Sequence, residues 1–328
     1  MSGFAQVLTV TPNPAIDQTL EIAAFAAGRV NRVLSSRSDA GGKGVNVATI
    51  LGELDVPVLV TGFLGEQNAK IFEQHFAAHK LQDRFLRVPG ATRTGIKIID
   101  TESRETTDIN FPGVQVAPED ASKLLGAVEE LSDKGSWHVL SGSLPVGLEP
   151  DFYRGLIEAI HAKGGQVLLD TSGVPLRHAV TARPEILKPN LAELEELLDT
   201  PVRSVEQARA AAGELLTGST RLVVVSMGGD GALFVTREVA LVAQPPRVNV
   251  VSTVGAGDAM VAGIVWSLLQ GMDLQETARW STAFGAYAVT RCGAGVERQT
   301  VQTLKEQVKV SSLESNVEDR RESAAQGV

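Results

Sequence analysis

Cysteine is almost absent from this chain of 328 residues, in which Cys292 is the only one. A single cysteine excludes an intrachain disulfide, and the five histidines lack the spacing of metal ligands. An excess of positive charge is absent as well, because 39 acidic and 30 basic side chains give a formal net charge of -9. Proteins that bind nucleic-acid phosphates usually show the opposite balance, so we exclude that class.

The sequence also has no apolar run long enough to span a bilayer, and its first residues lack the pattern of a signal peptide. We therefore expect a cytoplasmic protein. Three motifs are missing: the P-loop, a Gly-x-Gly-x-x-Gly turn after the first strand, and the Gly-x-Ser-x-Gly nucleophile elbow. Any catalytic chemistry must therefore reside in other patterns.

Short β-rich apolar runs alternate with helical patterns along most of the chain. Strands are predicted at Val7–Val10, Val58–Val60, Val139–Leu140, Val167–Leu169 and Leu222–Val225. Helices are predicted at Glu119–Leu131, Phe152–Ala162, Leu191–Leu198, Val205–Leu216 and, almost wholly apolar, Asp258–Leu269. This alternation predicts βαβ units and an α/β fold with a doubly wound, mostly parallel sheet. No linker divides it, so we predict one domain over residues 1–310 and a polar, disordered tail over 311–328.

Two segments interrupt the alternation. Thr94–Phe111 reads as two strands around a polar turn at Thr101–Arg104, and residues 16–34 are also without a helical pattern. We interpret both, at about 16–36 and 93–112, as a small β-sheet that projects from the main sheet as a lid. A surface hairpin without function is the alternative.

Polar and glycine residues follow four consecutive predicted strands. They are the segments Ser141–Pro145, Asp170–Gly173, Lys188–Asn190 and Ser226–Gly231. Ligands of open α/β sheets bind outside the carboxyl ends of the strands, so these four segments outline one site. Ordinary turns would explain each of them singly, because turns favour the same residue types.

Asp258 follows a small-residue turn, Gly255-Ala256-Gly257, at the predicted start of the apolar helix. Such a turn lets backbone N–H groups approach a phosphoryl group, and the helix N-terminus adds a positive dipole. A carboxylate placed there can accept a proton from an attacking hydroxyl. The competing role for Asp258 is a helix N-cap.

Three other segments carry candidate ligand contacts. Lys43 lies between glycines in Ala40–Ala48 and could bind an anion, although a plain loop-to-helix junction explains the pattern equally well. Arg93 could reach a phosphate, or simply be solvated. Asp17 could hold sugar hydroxyls, or serve as an Asx-turn acceptor.

In combination these motifs resemble the PfkB, or ribokinase-like, family of carbohydrate kinases. Gly41–Ala48 is similar to its first signature and Ser252–Gly263 to its second. Thr11–Asp17, Thr107–Gly113 and Ser141–Pro145 also resemble segments of sugar-phosphate kinases in that family. The similarity extends from the first strand to about residue 304.

The resemblance implies a role for sixteen residues. It makes Asp258 the catalytic base, with an anion hole formed by Gly255, Ala256 and Gly257. It places the sugar phosphate on Asp17, Gly42, Lys43, Asn46, Arg93 and Ser143. It places ATP on Lys188, Asn190, Glu193, Ser226, Gly228 and Gly231, with Mg²⁺ held through water near Asn190 and Glu193.

The implied reaction is transfer of the γ-phosphate of ATP to the 6-hydroxyl of fructose 1-phosphate. Lys43 indicates a sugar-phosphate acceptor without deciding which one, so tagatose 6-phosphate and fructose 6-phosphate stay alternatives. The family also implies a homodimer that pairs through the lid. From other classes, a non-catalytic module that senses a nucleotide or a sugar phosphate and a structural interaction protein remain open.

Overall fold

A computed structural model describes residues 7–291 and 293–313 of the chain. The strands are β1 (Val7–Thr11), β2 (Ala15–Ile22), β3 (Val33–Gly41), β4 (Val58–Gly65), β5 (Gln82–Asp83), β6 (Leu86–Val88), β7 (Thr94–Asp100), β8 (Thr106–Ile109), β9 (Trp137–Ser141), β10 (Gln166–Asp170), β11 (Ile186–Leu187), β12 (Leu222–Ser226), β13 (Ala232–Val235), β14 (Ala240–Gln244) and β15 (Lys309–Ser312). The helices are α1 (Lys43–Glu53), α2 (Lys70–Ala78), α3 (Pro118–Glu130), α4 (Phe152–Ala162), α5 (Gly173–Ala179), α6 (Leu191–Leu198), α7 (Val205–Glu214), α8 (Ala256–Leu269), α9 (Leu274–Ala288) and α10 (Arg298–Gln307).

The main sheet has eleven strands in the order β15-β14-β13-β12-β11-β10-β9-β1-β4-β5, with β6 also paired to β4. All pairs from β12 to β5 are parallel, whereas β13, β14 and β15 add an antiparallel edge. The predicted α/β fold with a mostly parallel sheet is therefore confirmed. Because the parallel strands end at the same edge, their polar carboxyl ends face one region.

Each face of the main sheet carries its own hydrophobic core. Alternate residues of one strand enter different cores. Val139 belongs to the core that includes residues of α1, α8 and α9, whereas Leu140 belongs to the core that includes residues of α3, α4 and α7. The α8–α9 packing is close at Gly263, where an added Cβ would lie 2.6 Å from the Cα of Ser281. The nearly all-apolar sequence of α8 is explained by this burial between sheet and helices.

The small sheet predicted from the two unhelical segments is present as a separate four-stranded sheet, ordered β3-β2-β7-β8. Its central pair, β2 and β7, is parallel, and the two strands are far apart in sequence. Its edge strands expose large apolar side chains, including Val33, Leu34 and Ile109. A small sheet with apolar side chains in solvent is a surface suited to a partner.

Several boundaries differ from the sequence prediction, including that of β3, which continues to Gly41 instead of ending near residue 36. Helix α8 begins at Ala256 rather than at Asp258, because Gly255 turns the chain with φ 82° and caps the helix two residues earlier. Ser311 and Ser312, assigned to the tail, complete strand β15 against β14. The rest of the predicted tail, residues 314–328, lies outside the described residues. Over the described ranges, no helix is long and apolar enough to cross a membrane.

Candidate active site

A cavity of about 930 Å³ lies between the carboxyl ends of the parallel strands and the small sheet. It brings together fifteen of the sixteen predicted site residues. They are Asp17, Gly42, Lys43, Asn46, Arg93, Lys188, Asn190, Glu193, Ser226, Gly228, Gly231, Gly255, Ala256, Gly257 and Asp258. The exception is Ser143, which is exposed and accepts a hydrogen bond from Asn13 Nδ2 at 3.1 Å. The contact of Ser143 with a sugar phosphate stays a prediction.

Asp258 is the third residue of α8 and is only 7% exposed. Its carboxylate does not cap the helix; instead Asn46 Nδ2 donates to Asp258 Oδ2 at 2.7 Å. Burial, and next the charge of Asp170, raise the pKa of Asp258 to about 6, against the opposing effects of Lys43, Asn46 and Lys188. A carboxylate with a pKa near 6 is ionised at neutral pH, yet it is a stronger base than an exposed aspartate.

The turn before Asp258 places backbone donors at the same end of the cavity. The N–H groups in the first turn of α8 have no partner within the helix, although the N–H of Ala256 makes a long hydrogen bond, at 3.4 Å, to the oxygen of Thr253. N–H groups at such a helix start can bind an anion. An added Cβ on Gly257 would lie 3.5 Å from Lys188 Nζ, so a cation stands beside this turn. The arrangement suits the negative charge that develops on a transferring phosphoryl group.

Asp170 is a buried acidic residue beneath the cavity that sequence reasoning did not select as a site residue. Its Oδ1 atom lies 3.1 Å from Lys43 Nζ and 3.3 Å from Lys188 Nζ. Burial alone would raise the pKa of Asp170, but the two ammonium groups outweigh it and hold the pKa below its ordinary value. The only signal in the sequence was that Asp170 ends a strand beside three other polar strand ends.

The end of the cavity bordered by the small sheet contains Asp17, Arg93 and Lys97. Lys97 Nζ lies 3.0 Å from Asp17 Oδ2, a contact that sequence reasoning missed because Lys97 lies mid-strand in β7. The Arg93 guanidinium donates to the backbone oxygens of Asn13 at 3.1 Å and Phe111 at 3.3 Å. These contacts fix one carboxylate and two cations where a polyhydroxylated anion could bind.

The opposite end of the cavity is formed by β11, β12 and α6. Asn190 and Glu193 form a capping box, in which each side chain accepts from the backbone N–H of the other at 2.8 Å. Gly231 has φ 95°, and an added Cβ would lie 2.0 Å from the oxygen of Ala243, so only glycine fits this turn. Over the described residues, no three or more His, Cys, Asp or Glu side chains form a metal cluster.

Comparison with known proteins gives a consistent result. Residues 10–300 match the pfkB family of carbohydrate kinases. The chain is 46% identical to a 1-phosphofructokinase of Rhodobacter capsulatus over 289 residues, which cover 88% of this chain and 92% of that protein. It is 39% identical to a 1-phosphofructokinase of Vibrio cholerae, over 94% and 97% of the two chains. Among solved structures, phosphofructokinase-2 from Escherichia coli in complex with substrates and products matches with a TM-score of 0.87 and 27% identity, covering 92% of this chain and 99% of that one.

Proposed function

The chain belongs to the pfkB family of carbohydrate kinases, and from this premise we propose that it phosphorylates the 6-hydroxyl of fructose 1-phosphate with ATP, giving fructose 1,6-bisphosphate and ADP. The relatives named 1-phosphofructokinase match nearly the whole chain. The observation that carries the proposal is the buried Asp258 carboxylate, which shares its cavity with an anion-binding turn and with Lys43. A non-catalytic protein that only bound these ligands would not need a general base in the cavity.

Asp258 acts as the general base. It takes the proton of the acceptor 6-hydroxyl while that oxygen attacks the γ-phosphorus of ATP, and ADP leaves with the electrons of the broken bond. Asn46 keeps the carboxylate in place through the hydrogen bond at 2.7 Å. The N–H groups of Gly255, Ala256 and Gly257 stabilise the charge on the transferring group.

The acceptor is held by the residues near the small sheet. We assign its phosphate to Lys43 and Arg93, because these cations line the cavity, and its hydroxyls to Asp17 and Asn46. Gly42 has φ 118° and lets the backbone approach the sugar at this point. Ser143 is also assigned to the binding of the sugar phosphate.

The nucleotide is assigned to the opposite end, along Lys188, Ser226, Gly228 and Gly231. Mg²⁺ usually keeps several of its waters and neutralises phosphate charge when bound. The carboxylate of Glu193 and the amide of Asn190 provide oxygen atoms beside the cavity, which suits a water-mediated site. A cytoplasmic location remains part of the proposal.

A homodimer that pairs through the small sheet is also part of the proposal. Its support is the exposure of Val33, Leu34 and Ile109, at 48%, 64% and 45%. We expect Leu34→Asp to convert a dimer to a monomer in analytical ultracentrifugation. Val174→Asp, at an apolar side chain of α5 that is 52% exposed, is the matched control and should leave the mass unchanged. A wild-type monomer would refute the pairing.

A coupled assay that measures ADP release tests the acceptor. Purified protein is given MgATP with fructose 1-phosphate, fructose 6-phosphate or tagatose 6-phosphate. We expect the highest kcat/KM for fructose 1-phosphate, and a higher value for either rival would overturn the assignment. No turnover with any sugar phosphate, together with binding of ATP, would instead favour a sensing module.

A further inference from the structure

One buried carboxylate contacts a cation from each of the two substrate regions. Asp170 ends strand β10 in the middle of the main sheet, and its side chain is 1% exposed. Lys43 begins α1 beside the acceptor region, and Lys188 follows β11 beside the nucleotide region. The same oxygen, Asp170 Oδ1, lies within 3.1 Å and 3.3 Å of the two ammonium groups.

We propose that Asp170 is a positioning residue, which holds Lys188 beside the anion-binding turn and Lys43 beside the acceptor region. This inference rests on the proposed function, because it takes Lys43 for the acceptor and Lys188 for ATP. Asp170 itself need not touch either substrate. It acts through the two lysines, which line the cavity in the acceptor region and in the nucleotide region.

The need for a shared counter-charge follows from the lysine side chain. Each ammonium group lies at the end of four flexible methylene units, and two ammonium groups close to each other repel. A carboxylate between them removes the repulsion and restricts both side chains to one arrangement before substrate arrives. The three groups together keep one net positive charge, which still favours the phosphates.

The position of Lys188 supports this function. Lys188 is 4% exposed, and its Nζ atom lies beside Gly257 in the anion-binding turn. An ammonium group that moved away from this turn would no longer face the transferring group. A displacement of about 1 Å from a productive geometry can cost on the order of 10²-fold in rate. Asp170 is the acidic side chain that the structure records in contact with Lys188.

Asp170 also affects the base. The charged groups that act on Asp258 are Asp170, Lys43 and Lys188; Asp170 raises the pKa of Asp258, and the two lysines lower it. Removing the charge of Asp170 should therefore shift the acid limb of the pH–activity profile to lower pH, whereas removing Lys43 should shift it to higher pH. Replacement of a residue with a purely structural role would leave the acid limb at its wild-type position.

The test compares Asp170→Asn, which removes the charge, with Asp170→Glu, which keeps the charge but moves it by one methylene group. We expect kcat to fall on the order of 10- to 100-fold in both variants. The acid limb of kcat/KM should shift to lower pH in Asp170→Asn and stay near its wild-type position in Asp170→Glu. The second ionisation of a phosphate monoester falls near pH 6, but it is the same for all variants and cancels in the comparison.

Asp120→Asn is the matched control, because Asp120 forms a surface ion pair with Lys123 at 2.7 Å. It should leave kcat and the acid limb unchanged. Wild-type kcat in Asp170→Glu, or an unshifted limb in folded Asp170→Asn, would overturn the proposal. Should Asp170→Asn not fold, as judged by thermal unfolding, the Asp170→Glu and Lys43→Met profiles decide the question.

The result is separable from the acceptor assignment. The profiles are measured with whichever sugar phosphate the wild-type protein converts best, so a wrong acceptor leaves this test intact. Conversely, fructose 1-phosphate turnover with wild-type kcat in Asp170→Glu would refute the positioning function alone. A wild-type protein without turnover would refute the proposed function and, with it, the premise of this inference.

Discussion

Replacing Asp258 with asparagine should abolish most of the activity and at the same time stabilise the fold. Asparagine keeps an oxygen to accept from Asn46, but it cannot take a proton. Turnover should therefore fall on the order of 10²- to 10⁴-fold, with ATP binding retained. Unchanged turnover would remove Asp258 from the role of the base.

The expected gain in stability follows from the raised pKa of the Asp258 carboxyl. Its pKa moves from 3.8 to about 6 on folding, with burial as the largest cause. A shift of about 2 pH units corresponds to about 3 kcal/mol of free energy of unfolding. Because the folded state binds this proton more tightly, protonation of Asp258 favours the folded state. This contribution to the free energy of unfolding is fully present below the unfolded pKa and is lost as the pH rises through about 6. The neutral asparagine avoids the loss.

Thermal unfolding of Asp258→Asn and wild-type protein at two pH values measures this effect. At pH 8 the variant should be more stable by about 3 kcal/mol, or about 5 °C in Tm. At pH 5 the difference should fall to about half, because the folded wild-type protein then holds the carboxyl largely protonated. Asp120→Asn should change stability by less than about 0.5 kcal/mol at both pH values. A variant that is less stable than wild type at pH 8 would refute the reasoning.

Three further perturbations test other parts of the site and fold. Lys43→Met should raise KM for the sugar phosphate about 10- to 100-fold in steady-state kinetics, and a loss confined to ATP would contradict its placement. Glu193→Gln keeps an oxygen for the N–H of Asn190, so its Tm should hold while the Mg²⁺ needed for half-maximal activity rises; unchanged Mg²⁺ dependence would exclude a role near the metal. Gly263→Ala should cost about 1–3 kcal/mol in urea unfolding by forcing α8 from α9, whereas Gly126→Ala, which has open space, should be neutral or stabilising.

The five strands and five helices that the sequence predicts are present, because each has a strong local signal. Phe152–Ala162 and Leu191–Leu198 have the predicted bounds, since their apolar spacing and flanking polar residues mark both ends. The antiparallel edge formed by β13, β14 and β15 has no such signal. Its strands are four or five residues long, and β15 pairs with β14 although α8, α9 and α10 lie between the two strands in the sequence.

The start of α8 shows how one glycine can move a boundary. The apolar pattern begins after Asp258, so periodicity places the first helical residue there. Gly255, at φ 82°, allows the helix to begin at Ala256, and Asp258 then lies within the first turn. Its carboxylate points to Asn46 instead of capping the backbone. The alternative role as an N-cap is thereby excluded by geometry that the sequence pattern does not contain.

The contacts that give the site its chemistry are mostly long-range in sequence. Asn46 and Asp258 are 212 residues apart, Lys43 and Asp170 are 127, and Asp17 and Lys97 are 80. Motifs reveal a residue only when its neighbours are unusual, so Lys43 between glycines stands out while Lys97 within a strand does not. Asp170 and Lys97 have ordinary neighbours, and their importance arises from the parallel order of the strands. That order places the ends of β10 and β11 side by side, and it brings one carboxylate between two lysines.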